Sequence, residues 1–216
     1  TAMAELGVNM ALAPVVDVGA GPGIGTRAYS ESPEVVAAYA GAVAEGFLSA
    51  DVIPMLKHFP GHGRASGDSH ESLPNTPPLS ELSGSDLLPF RDLLVIEGTA
   101  VLVGHLAVPG LTDGLPASVS PEAIDGLLRG DMGFDGLVMT DSLAMGAMAS
   151  FGEIEAARLA LLAGADIIIV SGPAQVPVLI EALQGSIAAG TLSWDVIDDS
   201  VERILDAKDI DPCTLG

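Results

Sequence analysis

Asp68-Ser69-His70 is the sharpest chemical signal in the chain. An aspartate two residues from a histidine in a tight loop can hydrogen-bond the imidazole and stabilise its protonated form. Such a ring can deliver a proton and later take one back. The plain alternative is an Asx turn beside an exposed histidine. The setting favours the chemical reading. The triplet ends the stretch Lys57-His58-Phe59-Pro60-Gly61-His62-Gly63-Arg64-Ala65-Ser66-Gly67-Asp68-Ser69-His70, which holds three of the four histidines, a lysine and an aspartate. Gly61, Gly63 and Gly67 let the backbone turn and move there.

Asp141 ends the apolar run Gly136-Leu137-Val138-Met139-Thr140, where an acid is costly unless paired or used. It reads equally as a carboxylate nucleophile or as a helix N-cap before Ser142. Lys57 and His58 are consecutive, so a regular strand sends one to each face of a sheet. A strand-end lysine could form a Schiff base or donate to a sugar hydroxyl. His58, His62, Asp68 and His70 could ligate a metal, but no helical His-x-x-x-His motif or cysteine cluster supports this, and no metal or other cofactor is expected. His105 reads as a satisfied structural histidine. Arg27 could clamp a substrate or pair with one of the 29 acidic residues. Cys213, the one cysteine, has no polar neighbourhood and reads as incidental.

Positioning these groups falls to five apolar strands, at residues 11–18, 52–59, 100–105, 136–141 and 167–171. Pro14 predicts an irregular ladder in the first. Helices are expected at 1–6, 33–49, 86–97, 120–130, 153–163, 174–189 and 194–208. Ser32-Pro33-Glu34 supplies an N-cap and a first-turn proline, and Ser193 caps the last helix. Continuous apolar runs mean strands covered on both faces, as in a parallel sheet. Alternating strands and helices give an α/β fold. Four strands end in Asp17, Lys57-His58, His105 and Asp141. That is the layout of a (β/α)8 barrel, whose chemistry gathers at the C-terminal ends of its strands. A doubly wound sheet would also bind there. Five units are visible, so residues 1–216 read as a single domain, the later part of a TIM-type barrel, with about three N-terminal units preceding Thr1.

The net charge of −21 argues against nucleic acid, which needs clustered Lys and Arg. At 49% apolar and 4% aromatic, the core must come from Ala, Val, Leu and Ile. No run of about 18 uncharged apolar residues exists, so no transmembrane helix is expected. No signal peptide is visible.

Together, Lys57-His58-Phe59-Pro60-Gly61-His62-Gly63 and Asp68-Ser69-His70 resemble the signature of family 3 glycoside hydrolases of the β-N-acetylglucosaminidase type. The resemblance runs along nearly the whole chain. It includes Ala13-Pro14-Val15-Val16-Asp17-Val18, Ile24-Gly25-Thr26-Arg27-Ala28-Tyr29, Pro116-Ala117-Ser118-Val119-Ser120, Gly133-Phe134-Asp135-Gly136, Val138-Met139-Thr140-Asp141-Ser142-Leu143 and Ala163-Gly164-Ala165-Asp166. It departs in Thr140-Asp141-Ser142, where Ser-Asp-Asp is more frequent, and in lacking the family's earlier sugar-binding aspartate.

The resemblance implies a retaining two-step hydrolysis. Asp141 would be the nucleophile, His70 poised by Asp68 the acid/base, and Arg27, Lys57 and His58 the binders of a non-reducing N-acetylglucosamine. It points to peptidoglycan fragments as substrate and to a monomer. It leaves the compartment open between bacterial cytoplasm and cell envelope, where such proteins occur as lipoproteins. Competing readings are a β-glucosidase or phosphorylase of the same family, a non-catalytic carbohydrate-binding remnant, and a Schiff-base lyase using Lys57.

Overall fold

The structure is a computed structural model that describes residues 2–211 and 213. A short helix α1 (Ala2–Glu5) leads into β1 (Met10–Ala11), and Thr1 of the expected first helix lies outside the described residues. There follow α2 (Pro33–Leu48), β2 (Ile53–Phe59), α3 (Leu79–Leu82), α4 (Leu87–Leu93) and β3 (Ala100–Val103). The chain continues through a π-helix (Glu122–Asp131), β4 (Val138–Ser142), α5 (Glu153–Leu162) and β5 (Ile167–Ile169), and then α6 (Gln175–Ala188) and α7 (Trp194–Ala207). Ser32 and Ser193 cap α2 and α7, accepting from Val35 N–H and Val196 N–H. α4 is shorter than expected, α3 forms between the expected strand at 52–59 and the expected helix at 86–97, and the helix at 120–130 is wound as a π-helix.

All strand pairs are parallel and lie in sequence order, β1 to β5. Alternation along the strands divides the apolar residues between two layers. Leu56, Phe59, Val101, Val103 and Val138 pack outward with Val36, Ala40, Leu87, Phe90, Ile124 and Ala160 of the helices. Met55, Ala100, Leu102, Leu137 and Met139 form an inner cluster. Met10 of β1 and Ile167 and Ile169 of β5, the two edge strands, join that inner cluster, as on the concave face of a curled sheet. The continuous apolar strands are therefore covered on both faces, as their composition requires.

Two strands depart from regularity where the chemistry lies. The ladder of the first strand is irregular at Pro14, as expected. β1 stops at Ala11, and beyond the cis Ala13-Pro14 bond the isolated Val15–Lys57 bridge continues it. In β2 the register slips, with Lys57 opposite Leu102 and Phe59 opposite Val103. His58 is thus an extra residue between an inward and an outward position, which corrects the expected one-to-each-face alternation of Lys57 and His58.

At the opposite end of the strands, Asp166 fastens α7 to the barrel base. Its buried carboxylate accepts from Arg129 Nη2 (2.9 Å), Arg203 Nη1 (3.0 Å) and Val138 N–H (2.8 Å). Removing it leaves two cations and a backbone donor without their acceptor. Asp166→Ala is expected to cost about 3 kcal/mol, seen as a fall of roughly 10 °C in thermal midpoint. A midpoint within 2 °C of wild type, on the order of 0.5 kcal/mol, would remove this role.

Candidate active site

Asp17, Lys57, His58 and Asp141 lie at or just beyond the C-terminal ends of their strands, and Asp68 and His70 on the loop after β2. Asp17 anchors the group. Its fully buried carboxylate accepts from His58 Nδ1 (2.7 Å), His58 N–H (3.3 Å) and His62 N–H (2.6 Å). Burial would raise its pKa, but the charge of His58 and these hydrogen bonds outweigh burial and lower it. A carboxylate only accepts, so Nδ1 of His58 carries a proton and Nε2 is the nitrogen left for a ligand. Asp17 was legible as a polar strand tip, but its work on His58 and His62 was missed. The available signal was a charge in an apolar strand, which must be paired.

Lys57, half-buried on the inner side of β2, shares its surroundings with Arg27, Asp141 and Asp17. Desolvation and the charge of Arg27 lower its pKa against the pull of the two carboxylates. Arg27 is exposed and donates to the carbonyls of Gly23 and Ile24 in its own loop. Among the described residues no carboxylate forms an ion pair with it, so it is available to a ligand. Asp141 lies inside β4, and among the described residues its Oδ1 accepts only from the adjacent Ser142 N–H (2.8 Å). No helix starts there, which removes the N-cap alternative.

His70 Nδ1 lies 2.7 Å from Asp68 Oδ1, which also accepts the His70 backbone N–H at 3.0 Å. These bonds, the backbone one first, hold the Asp68 carboxyl below its usual pKa. The His70 ring is 65% exposed, so its Nε2 edge can reach a ligand. The loop is docked on the segment following β4: Ala147 N–H donates to Ser69 O (3.1 Å) and Gly146 N–H to His70 O (3.0 Å). A Cβ on Gly146 would stand 2.7 Å from His70 O, so this approach requires glycine.

His105 is satisfied, as expected. Its Nε2–H donates to Ser142 O (2.8 Å), its Nδ1 accepts from Ser118 Oγ (2.7 Å), and burial lowers its pKa. It thereby fixes the backbone next to Asp141. Among the described residues no group of three or more His, Cys, Asp or Glu side chains could hold a metal. A cavity of about 650 Å³ lies at the other end of the strands, lined by Asn9, Ile53, Thr99, Leu137 and Arg203. It carries none of the histidines.

The family model described as "Glycosyl hydrolase family 3 N terminal domain" matches residues 1–207. The chain belongs to glycoside hydrolase family 3. Over 220 aligned residues it is 45% identical to the beta-hexosaminidase LpqI of Mycobacterium tuberculosis, covering 97% of this chain and 56% of that protein. The solved structure of that LpqI superposes with a TM-score of 0.92 at 44% identity, over 98% of this chain and 64% of the other. A family 3 beta-N-acetylglucosaminidase from Paenibacillus sp. gives 0.91 at 37% identity, over 96% and 41%. The chain thus spans little more than half the length of the curated relatives it matches. The α/β reading and the family resemblance are borne out, and the parallel sheet is that of the family 3 N-terminal domain.

One outcome of this geometry is measurable on the folded chain. Asp17 has a lowered folded pKa, so its carboxylate contributes stability that is full above the unfolded value near 3.8 and is lost as pH falls through the folded value. Asp17→Asn is expected to be less stable at pH 7 and to show a flatter decline between pH 5 and 3. Urea melts across that range check it, and parallel stability curves would contradict it.

Proposed function

We propose that the chain forms the later five units of an eight-unit barrel and supplies the catalytic groups of a retaining β-N-acetylhexosaminidase. The observation that carries this is the Asp68–His70 pair, docked through Ser69 and His70 onto the segment that follows Asp141. It supports an acid/base and a carboxylate working on one sugar.

In the first step Asp141 attacks the anomeric carbon and His70 Nε2 gives its proton to the leaving oxygen. A covalent glycosyl-enzyme results. In the second step neutral His70 takes a proton from water, the water attacks the same carbon, and Asp141 leaves. The Asp68 carboxylate receives Nδ1–H throughout and stabilises the imidazolium. A histidine acid is neutral once it has given up its proton, so it does not repel an anionic group nearby. Arg27, Lys57 and Nε2 of His58 hold the N-acetylglucosamine. The relatives' names, beta-hexosaminidase and beta-N-acetylglucosaminidase, support this sugar. Peptidoglycan fragments are the natural substrate in this reading.

Hydrolysis of p-nitrophenyl N-acetyl-β-glucosaminide, beside the β-glucoside with and without phosphate, tests the proposal in the full-length protein. Phosphate-independent turnover of the N-acetylglucosaminide is expected. Preference for the glucoside, or dependence on phosphate, would overturn it in favour of a β-glucosidase or a phosphorylase.

A further inference from the structure

His62 and Ser69 have no part in the chemistry above, yet they are buried, at 3% exposure each, beside an exposed dyad. Ser69 stands between its two members. Its Oγ lies 3.0 Å from His62 Nε2, and its carbonyl accepts from Ala147 N–H. His62 is held at both its backbone and its ring. Its backbone N–H is held by Asp17 at 2.6 Å, and Gly23 lies flat against the ring, where a Cβ would come within 2.9 Å of Nε2. His62 Nδ1 is buried without a partner among the described residues. A proton there would be a buried donor with no acceptor, so the neutral ring carries its proton on Nε2 and donates to Ser69. Burial also lowers the His62 pKa.

We propose that the His62–Ser69 hydrogen bond is a latch that sets the dyad, making His62 and Ser69 positioning residues for proton transfer by His70. The inference rests on the glycosidase reading above. An exposed imidazole on a glycine-rich loop has little packing to place it. Ser69 places it by joining two parts of the fold. Its side chain reaches the loop leaving β2, its carbonyl reaches the segment after β4, and its neighbours are Asp68 and His70. Through Asp17 the latch is continuous with His58, so one buried carboxylate sets both the proposed sugar binder and the proposed proton carrier.

The test compares Ser69→Ala and Ser69→Thr in the full-length protein. The substrates are two N-acetyl-β-glucosaminides, one with a methylumbelliferyl leaving group and one with 2,4-dinitrophenyl. The second leaves without a proton. Ser69→Ala is expected to lower kcat/KM on the first by about 10- to 100-fold and on the second by less than about threefold, because a misplaced acid costs only where acid is used. Ser69→Thr, which keeps Oγ, should recover most of the loss. An equal fall on both substrates, no fall, or a threonine variant no better than alanine would overturn the proposal. A second readout does not depend on activity. Amide exchange at Gly146 and Ala147, whose N–H groups bond to the 69–70 backbone, should quicken by about tenfold or more in Ser69→Ala, with the thermal midpoint nearly kept. If the wild type turns over neither substrate, the glycosidase reading fails by itself and this exchange decides the latch; unchanged exchange removes it.

Discussion

Asp141→Asn is expected to reduce turnover of p-nitrophenyl N-acetyl-β-glucosaminide by on the order of 10⁵-fold while leaving the protein folded. The size follows from the role proposed for the carboxylate. The amide keeps the shape of the side chain and can still accept the Ser142 N–H, so β4 has no reason to move. What disappears, on that role, is the charge at the anomeric carbon and the oxygen that would bond to it. Lys57 gives a second signature of the same substitution. Asp141 is one of two carboxylates that raise the lysine's pKa against desolvation and Arg27, so the Lys57 pKa should fall further in the variant. Azide should form no new β-glycosyl product, but it should release an α-glycosyl azide if it takes the place of the missing nucleophile. Activity within about tenfold of wild type would move the nucleophile elsewhere, since removing a covalent nucleophile costs far more than that.

The lysine also bears on the Schiff-base reading. A lowered pKa suits a lysine nucleophile as well as a sugar donor, so its direction alone does not choose. Nor do its neighbours, since a second cation such as Arg27 acts on a Schiff-base lysine in the same way. The glycosidase names of the family 3 relatives favour the sugar donor.

How the sequence announced all this depended on range. Strand existence was legible because the apolar runs are local: residues 53–56, 100–103 and 137–139 are short, mostly aliphatic runs, with Lys57-His58, His105 and Asp141 following within two positions. The Asp68–His70 bond was legible because it spans two residues. What was not legible is long-range. Asp17 serves backbone groups 41 and 45 positions away, and no local pattern reports a carboxylate that accepts from another strand's N–H. The bulge at His58 was hidden because a slip of register belongs to a pair of strands, and only the partner β3 reveals it. Asp86 was expected merely to open a helix. It is instead fully buried and takes both Nε and Nη2 of Arg64, 22 residues upstream. Burial raises its pKa and outweighs the pull of Arg64. The docking of the dyad loop on Gly146 and Ala147 likewise joins the loops of β2 and β4, which only the fold brings together.

His70→Ala carries the second large effect, and its size should depend on what leaves. With an alkyl or sugar aglycone, departure needs a proton, and loss of the acid is expected to lower kcat/KM by about 10³- to 10⁴-fold. With 2,4-dinitrophenol the oxygen leaves as a stable anion, so the first step should keep most of its rate. The second step still lacks its base, and a glycosyl-enzyme on Asp141 should accumulate and be visible as a burst of dinitrophenol followed by slow turnover. Azide, which needs no base to attack, should then restore turnover and give a β-glycosyl azide. Asp68→Asn should fall between this variant and wild type. It retains an oxygen that can accept Nδ1–H but removes the charge that stabilises the imidazolium, a charge that the His70 N–H and ring hold in place. These outcomes separate His70 from a residue that merely supports the loop. A structural loss would lower both substrates together, would show no burst and would gain nothing from azide. Equal losses on both substrates with no accumulation would therefore take the proton-transfer role away from His70, whatever Asp141 proves to do.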